Sequence, residues 1–132
     1  MIYVDTSVVL AELLAEDRHP PEAFWRDTLV SSRLLEYEVW TRIHARRIAA
    51  THGEAARALV GRVALLEMVS PVLARALEPF PKPVRTLDAV HLASIEFLRE
   101  RQAETRLATY DVRQASAAVA MGIALYEFEP ES

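Results

Sequence analysis

At 132 residues, 52% hydrophobic and 26% charged, the chain has the size and composition of one globular domain (residues 1–132) that buries a core without staples, and not those of a disordered segment. It contains no cysteine, which excludes disulfides and thiolate metal sites; oxygen ligands and four histidines remain, a set that favours Mg²⁺ or Mn²⁺ over structural zinc. The net charge of −4 argues against a general nucleic-acid coat and leaves room for a local basic stripe.

The N-terminus lacks the basic start and cleavage site of a signal peptide. No stretch approaches the roughly 20 uninterrupted apolar residues that span a bilayer. A cytoplasmic protein with no membrane partner is therefore expected.

Met1-Ile2-Tyr3-Val4-Asp5 reads as a short buried strand that ends in a carboxylate. Thr6 and Ser7 offer hydroxyls to start a helix over about Ser7 to Glu16. His19-Pro20-Pro21 breaks it and restarts a short helix through Phe24 and Trp25, because proline suits a first turn and not a helix interior. Leu29-Val30-Ser31 is the second strand expected. A long helix over about Arg33 to Ala50 follows, then His52-Gly53 as punctuation, then a helix over about Glu54 to Glu67. Met68-Val69 reads as a brief third strand, and Pro71 starts a short helix through Leu77.

Pro79, Pro81 and Pro83 make a stiff connector around Phe80, and Thr86 caps a helix over about Leu87 to Arg101. Residues 105–110 repeat the opening pattern: a β-prone run, an acid (Asp111) and a helix, here Val112 to Met121. Gly122 suits the left-handed position that ends a helix. Ile123-Ala124-Leu125-Tyr126 is the last strand, and an acidic tail closes the chain. Strands alternating with helices predict an α/β fold with a parallel sheet covered on both faces. In such sheets ligands bind beyond the carboxyl ends of the strands, where strand order reverses, so Asp5 and Asp111 are candidates for one site.

Two helices add acids. At 100° per residue, Glu38 falls between Leu34, Leu35, Ala45 and Ala49, inside an apolar stripe, with Glu36 about 160° away. Asp88 lies within about 40° of Leu92 and Ile95 by the same arithmetic. Each acid alone has a plain structural reading: an ion pair from Glu38 to Arg42, a first-turn dipole partner for Asp88, helix caps for Asp5 and Asp111. His91 alone reads as a packed, hydrogen-bonded residue. Four converging carboxylates, however, raise one another's pKa values, and a divalent cation removes that conflict. Such a cation can activate water for in-line displacement at a phosphodiester.

Ile2-Tyr3-Val4-Asp5-Thr6-Ser7, the Glu38-Val39 helix, Thr86-Leu87-Asp88-Ala89-Val90-His91-Leu92-Ala93 and Thr109-Tyr110-Asp111 together resemble the PIN-domain family, and more closely the VapC-type toxins of bacterial toxin–antitoxin systems. The resemblance covers the whole chain in length and motif order. It implies a PIN-like three-layer sandwich with a central, roughly five-stranded parallel sheet and the first strand in the middle. It implies a Mg²⁺- or Mn²⁺-dependent endoribonuclease that cleaves structured RNA, tRNA or rRNA.

Carried onto this sequence, Asp5, Glu38, Asp88 and Asp111 are the acidic quartet, with Asp5, Asp88 and Asp111 on the metal. Thr6 and Thr109 are supporting hydroxyls. The resemblance also implies a homodimer and a cognate antitoxin whose tail enters the acidic site, with DNA met only through that antitoxin. Some relatives carry a further acid where this chain has Arg113. Arg42, Arg46 and Arg113 are candidates to hold RNA, against the plain reading of a solvated charged surface. The competing function is a PIN-like module whose acids dock a partner's basic tail without cleavage. An aspartyl-phosphate protein fits poorly, because Lys82-Pro83 precedes the Asp88 helix and Ser7 occupies the second acid position of a phosphatase Asp-x-Asp.

Overall fold

The computed structural model describes residues 1–101 and 104–128; the acidic tail expected at the end of the chain extends past the described residues. Five short strands form one parallel sheet: β1 (Ile2–Val4), β2 (Leu29–Ser32), β3 (Ala64–Leu66), β4 (Arg106–Ala108) and β5 (Ala124–Leu125), in the order β3-β2-β1-β4-β5. The helices are α1 (Thr6–Leu13), α2 (Leu34–Ala45), α3 (Ala49–Val60), α4 (Ser70–Ala76), α5 (Thr86–Arg101) and α6 (Val112–Ala120), with a 3-10 helix over Glu22–Arg26. This is the expected three-layer α/β sandwich with β1 at its centre.

Alternation along β1 divides the core. Ile2 and Val4 join Val8, Leu35, Val39, Ile43 and Ala56 on the α1–α2–α3 face. Tyr3 joins Leu92, Ile95, Leu107 and Ala117 on the α5–α6 face. All three β1 side chains are buried, each stabilising the fold by about 1.5–3 kcal/mol. A strand buried on both sides has no polar face to present, which is why this one reads as a continuous apolar run.

Register positions the site. Ile2, Tyr3 and Val4 pair with Arg106, Leu107 and Ala108, so the residues that follow, Asp5 and Thr109, emerge side by side. The Asp5 amide still donates to the Ala108 carbonyl at 2.9 Å. Strand order reverses between β1 and β4, and both strand ends open there. On the far side of α5, the Arg75 Nε lies 2.6 Å from Glu96 and its guanidinium 4.2 Å from the Phe80 ring, which ties α4 and the proline connector to α5.

Three boundaries differ from expectation. The chain breaks between α2 and α3 at Arg46-Arg47, where Arg47 takes a left-handed φ of 57°, and not at His52-Gly53. Gly53 is buried inside α3 against the Trp40 ring, and packing outweighs the roughly 1 kcal/mol that an interior glycine costs. The third strand is Ala64–Leu66 and not Met68-Val69, because those residues align with Val30, Ser31 and Ser32. The strand expected over 105–110 pairs only over Arg106–Ala108, which frees Thr109 and Asp111 for the site.

A Cβ built at Gly53 meets Trp40 at 3.5 Å, an ordinary contact, so Gly53→Ala is expected to stabilise the protein by about 0.5–1 kcal/mol. Gly122, at φ 76°, behaves oppositely: Gly122→Ala should cost about 1–2 kcal/mol. Urea unfolding midpoints of the two variants check both signs.

Candidate active site

Asp5, Glu38, Asp88 and Asp111 line one cleft of about 500 Å³ beyond the carboxyl ends of β1 and β4. Thr6, Ser7, Arg42 and Arg85 complete its polar wall. Four acids that a linear reading scatters over more than a hundred residues are thus brought together by the sheet.

Asp5 caps α1 and is 6% exposed. Its Oδ2 accepts from the Ser7 hydroxyl at 2.6 Å, the Thr109 hydroxyl at 2.8 Å and the Ser7 amide at 3.3 Å. The Ser7 hydroxyl also accepts from the Tyr110 amide, and the Thr109 hydroxyl from the Asp111 amide. Two hydroxyls therefore lock the ends of β1 and β4 together around one carboxylate oxygen, while Oδ1 accepts no hydrogen bond among the described residues. Burial pushes the Asp5 carboxyl above its usual range; the nearby His91 and the Ser7 and Thr109 hydrogen bonds pull the other way.

Glu38 faces the cleft from α2, as the helical arithmetic requires. Its partner is not Arg42. Oε1 accepts from the Thr6 hydroxyl at 2.9 Å and lies 2.5 Å from His91 Nε2. Glu36 turns the other way, 3.8 Å from Arg33. His91 is 1% exposed, and its Nδ1 lies 2.7 Å from the hydroxyl of the fully buried Tyr3. An ionised carboxylate only accepts, so the Nε2 proton belongs to His91; with the imidazole neutral, Nδ1 accepts from Tyr3. Burial pushes the Tyr3 phenol well above its usual range, which keeps it a donor.

Asp111 caps α6, its Oδ1 accepting from the Arg113 and Gln114 amides. Asp88 sits in the first turn of α5. Arg85 bridges the two, with Nε 3.3 Å from Asp88 and Nη2 3.6 Å from Asp111. Of the arginines singled out in the sequence, Arg42 lines the cleft and Arg113 lines a small pocket of about 190 Å³ next to it. Arg46, at the C-cap of α2, is exposed and lies outside the cleft lining. Sequence reasoning missed Ser7, Tyr3 and Arg85 as site residues; it read His91 as a packed, hydrogen-bonded residue, which it is, without naming Glu38 and Tyr3 as its partners. The Asp-Thr-Ser run held a signal for Ser7, since a hydroxyl two residues past a capping acid can serve it; nothing local marks Tyr3 or Arg85.

The donor set suits a hard cation. It is all oxygen, it carries excess negative charge, and Asp5 leaves one oxygen without a protein donor among the described residues. Those residues contain no group of three acids or histidines already close enough to grip an ion.

The family model for the PIN domain matches residues 2–124 of the chain. The chain is 30% identical over 133 aligned positions to Ribonuclease VapC35 of Mycobacterium tuberculosis, covering 95% of each chain. It is 30% identical over 129 positions to Ribonuclease VapC47 of the same organism, covering 92% of this chain and 93% of that one.

A carboxyl whose pKa is raised by folding contributes stability that is complete below its unfolded value, about 3.9, and lost as pH climbs through the folded value. Asp5→Asn removes that loss and keeps an oxygen for Ser7 and Thr109. The variant should melt above the parent at pH 7, with an advantage that shrinks toward pH 4; a lower melting point at pH 7 contradicts the burial argument. His91→Leu leaves Glu38 and Tyr3 short of a partner and should cost about 1–3 kcal/mol in urea unfolding.

Proposed function

The chain belongs to the PIN domain family, in its VapC-type branch, and from that premise we propose that it is a Mg²⁺- or Mn²⁺-dependent endoribonuclease toxin that cleaves structured RNA, tRNA or rRNA, and is neutralised by a cognate antitoxin. The observation that carries the reading is the convergence of Asp5, Glu38, Asp88 and Asp111 on one cleft at the strand-order reversal. It works as a single domain in the cytoplasm and as a homodimer, and meets DNA only through the antitoxin. No described helix is long and apolar enough to cross a membrane.

In this reading Asp5, Asp88 and Asp111 hold the cation. When bound, it lowers the pKa of water and stabilises the oxygen that leaves phosphorus. The protein's own side chains do the remaining work. Thr109 and Ser7 fix the Asp5 carboxylate in one rotamer. Thr6 and His91 occupy Oε1 of Glu38, so Oε2 is the atom available to orient the attacking water. Tyr3 holds the His91 ring from behind. Arg42 and Arg113 hold RNA phosphates on either side of the acids, as positioning contacts without base preference. Water adds to phosphorus in line, the bond to the 3′ oxygen breaks, and the products end in 5′-phosphate and 3′-hydroxyl.

The test is cleavage of purified total tRNA and rRNA with Mg²⁺ or Mn²⁺, with and without EDTA, followed by mapping of the new ends. Discrete cuts bearing 5′-phosphate are expected, abolished by EDTA. Asp5→Asn should lower the rate by more than the roughly 100-fold that loss of a supporting partner costs. Ends carrying 2′,3′-cyclic phosphate overturn the mechanism, since they require attack by the RNA's own 2′-hydroxyl. Tight partner binding with no metal-dependent cutting of any RNA marks the alternative, a module whose acids only dock a basic tail.

A further inference from the structure

Arg85 stands at the start of α5 with its side chain 68% exposed, yet its guanidinium is engaged. It faces Asp88 Oδ2 through Nε and Asp111 Oδ2 through Nη2, joining the first turn of α5 to the cap of α6. These are two of the three carboxylates assigned above to the cation. Arg42 also lines the cleft and has no ion pair among the described residues, so the acid side of the cleft is balanced by Arg85. Arg85 further borders the small pocket that holds Arg113 and an apolar groove of about 910 Å³ beside α4. It is therefore placed at the rim of the cleft, beside the pocket that holds Arg113.

A divalent cation and a guanidinium repel when both sit against the same carboxylate oxygens. Exposed arginine–carboxylate contacts at 3.3 and 3.6 Å are weak, so a divalent cation that reaches these oxygens would have little to displace. Once released, a guanidinium beside a phosphodiester has a better partner than water, because its planar fork matches phosphate oxygens. The side chain needs no rearrangement of the fold for this, being mostly exposed.

We propose that Arg85 is the resident counter-cation of the acidic cleft, displaced when the divalent cation enters and transferred to an RNA phosphate beside the cut. The proposal rests on the nuclease reading above. It assigns Arg85 two measurable roles, competition with the metal and retention of the substrate, which no single structural role predicts together.

The experiment compares wild type, Arg85→Gln, Arg85→Lys and Asp5→Asn. Mn²⁺ binding to each protein without RNA is read from the free Mn²⁺ electron paramagnetic resonance signal. Arg85→Gln should bind Mn²⁺ roughly three- to tenfold tighter than wild type, the range that removal of weak surface ion pairs allows, and Arg85→Lys should stay near wild type. With total tRNA at saturating Mn²⁺, Arg85→Gln should raise KM while kcat stays within about twofold, and lower the log–log salt slope of kcat/KM by about one.

Mn²⁺ affinity unchanged in Arg85→Gln overturns the competition. Tighter Mn²⁺ binding with unchanged KM and salt slope overturns the transfer to phosphate. Failure of the nuclease reading looks different: wild type then shows no Mn²⁺ binding that Asp5→Asn removes, and the proposal falls with it.

Discussion

The structure depends on keeping one carboxylate buried at the end of its central strand. Asp5 is 6% exposed, and an isolated charge in that position costs several kcal/mol. The fold meets the cost with hydroxyls. Ser7, the second residue of α1, and Thr109, just past β4, both donate to Oδ2. That requires β1 and β4 to be parallel neighbours in one register, with Val4 opposite Ala108. It requires α1 to begin at once after the strand, and Thr109 to leave the ladder. The shortness of β4, the abrupt strand-to-helix turn and the placement of Asp111 all answer to the same need.

The other acids are held by different means, which fits the different work proposed for them. Glu38 is fixed from the protein side by a buried file, Tyr3 to His91 to Glu38, that crosses from one sheet face to the cleft. Its outer oxygen is left for the cleft. Asp88 and Asp111 are partly exposed and share an exposed surface cation, Arg85. A carboxylate held from behind by an imidazole is suited to orienting a small molecule. Carboxylate oxygens whose side-chain partner is an exposed guanidinium, as at Oδ2 of Asp88 and of Asp111, are suited to exchanging partners.

The sequence made the strand–Asp–helix units visible because their signal is local: an apolar run, an acid, then helical spacing. Glu38 over Glu36 was legible for the same reason, since the facing of a helix follows from its own period. What could not be read is what each inward face meets. Tyr3 and His91 are 88 positions apart, and only the parallel topology makes them neighbours. Arg85 and Asp111 lie on different elements, and no periodicity links them. The α2–α3 break was misplaced for a related reason. Arg46-Arg47 carries no breaker residue, whereas His52-Gly53 looks like one and is overruled by packing against Trp40. The third strand was misplaced because Ala64–Leu66 and Met68-Val69 are both apolar, and pairing with β2 decided between them.

The three ways of balancing charge in the cleft bear on how the fold relates to its cation. Where a metal is the sole answer to a cluster of ligands, binding and folding are one event, as in small zinc domains. Here each acid already has an answer from the protein: burial with hydroxyl donors for Asp5, imidazole and hydroxyl for Glu38, guanidinium for Asp88 and Asp111. The core beneath them is apolar on both faces of β1 and meets the cleft through the Tyr3 hydroxyl and the buried His91 ring. Under the proposed function, a cation that enters would replace existing partners at Asp88 and Asp111 and would not be needed to complete the fold. The proposed exchange of charge at Asp88 and Asp111 would then act on a cleft whose acids are already partnered within the fold.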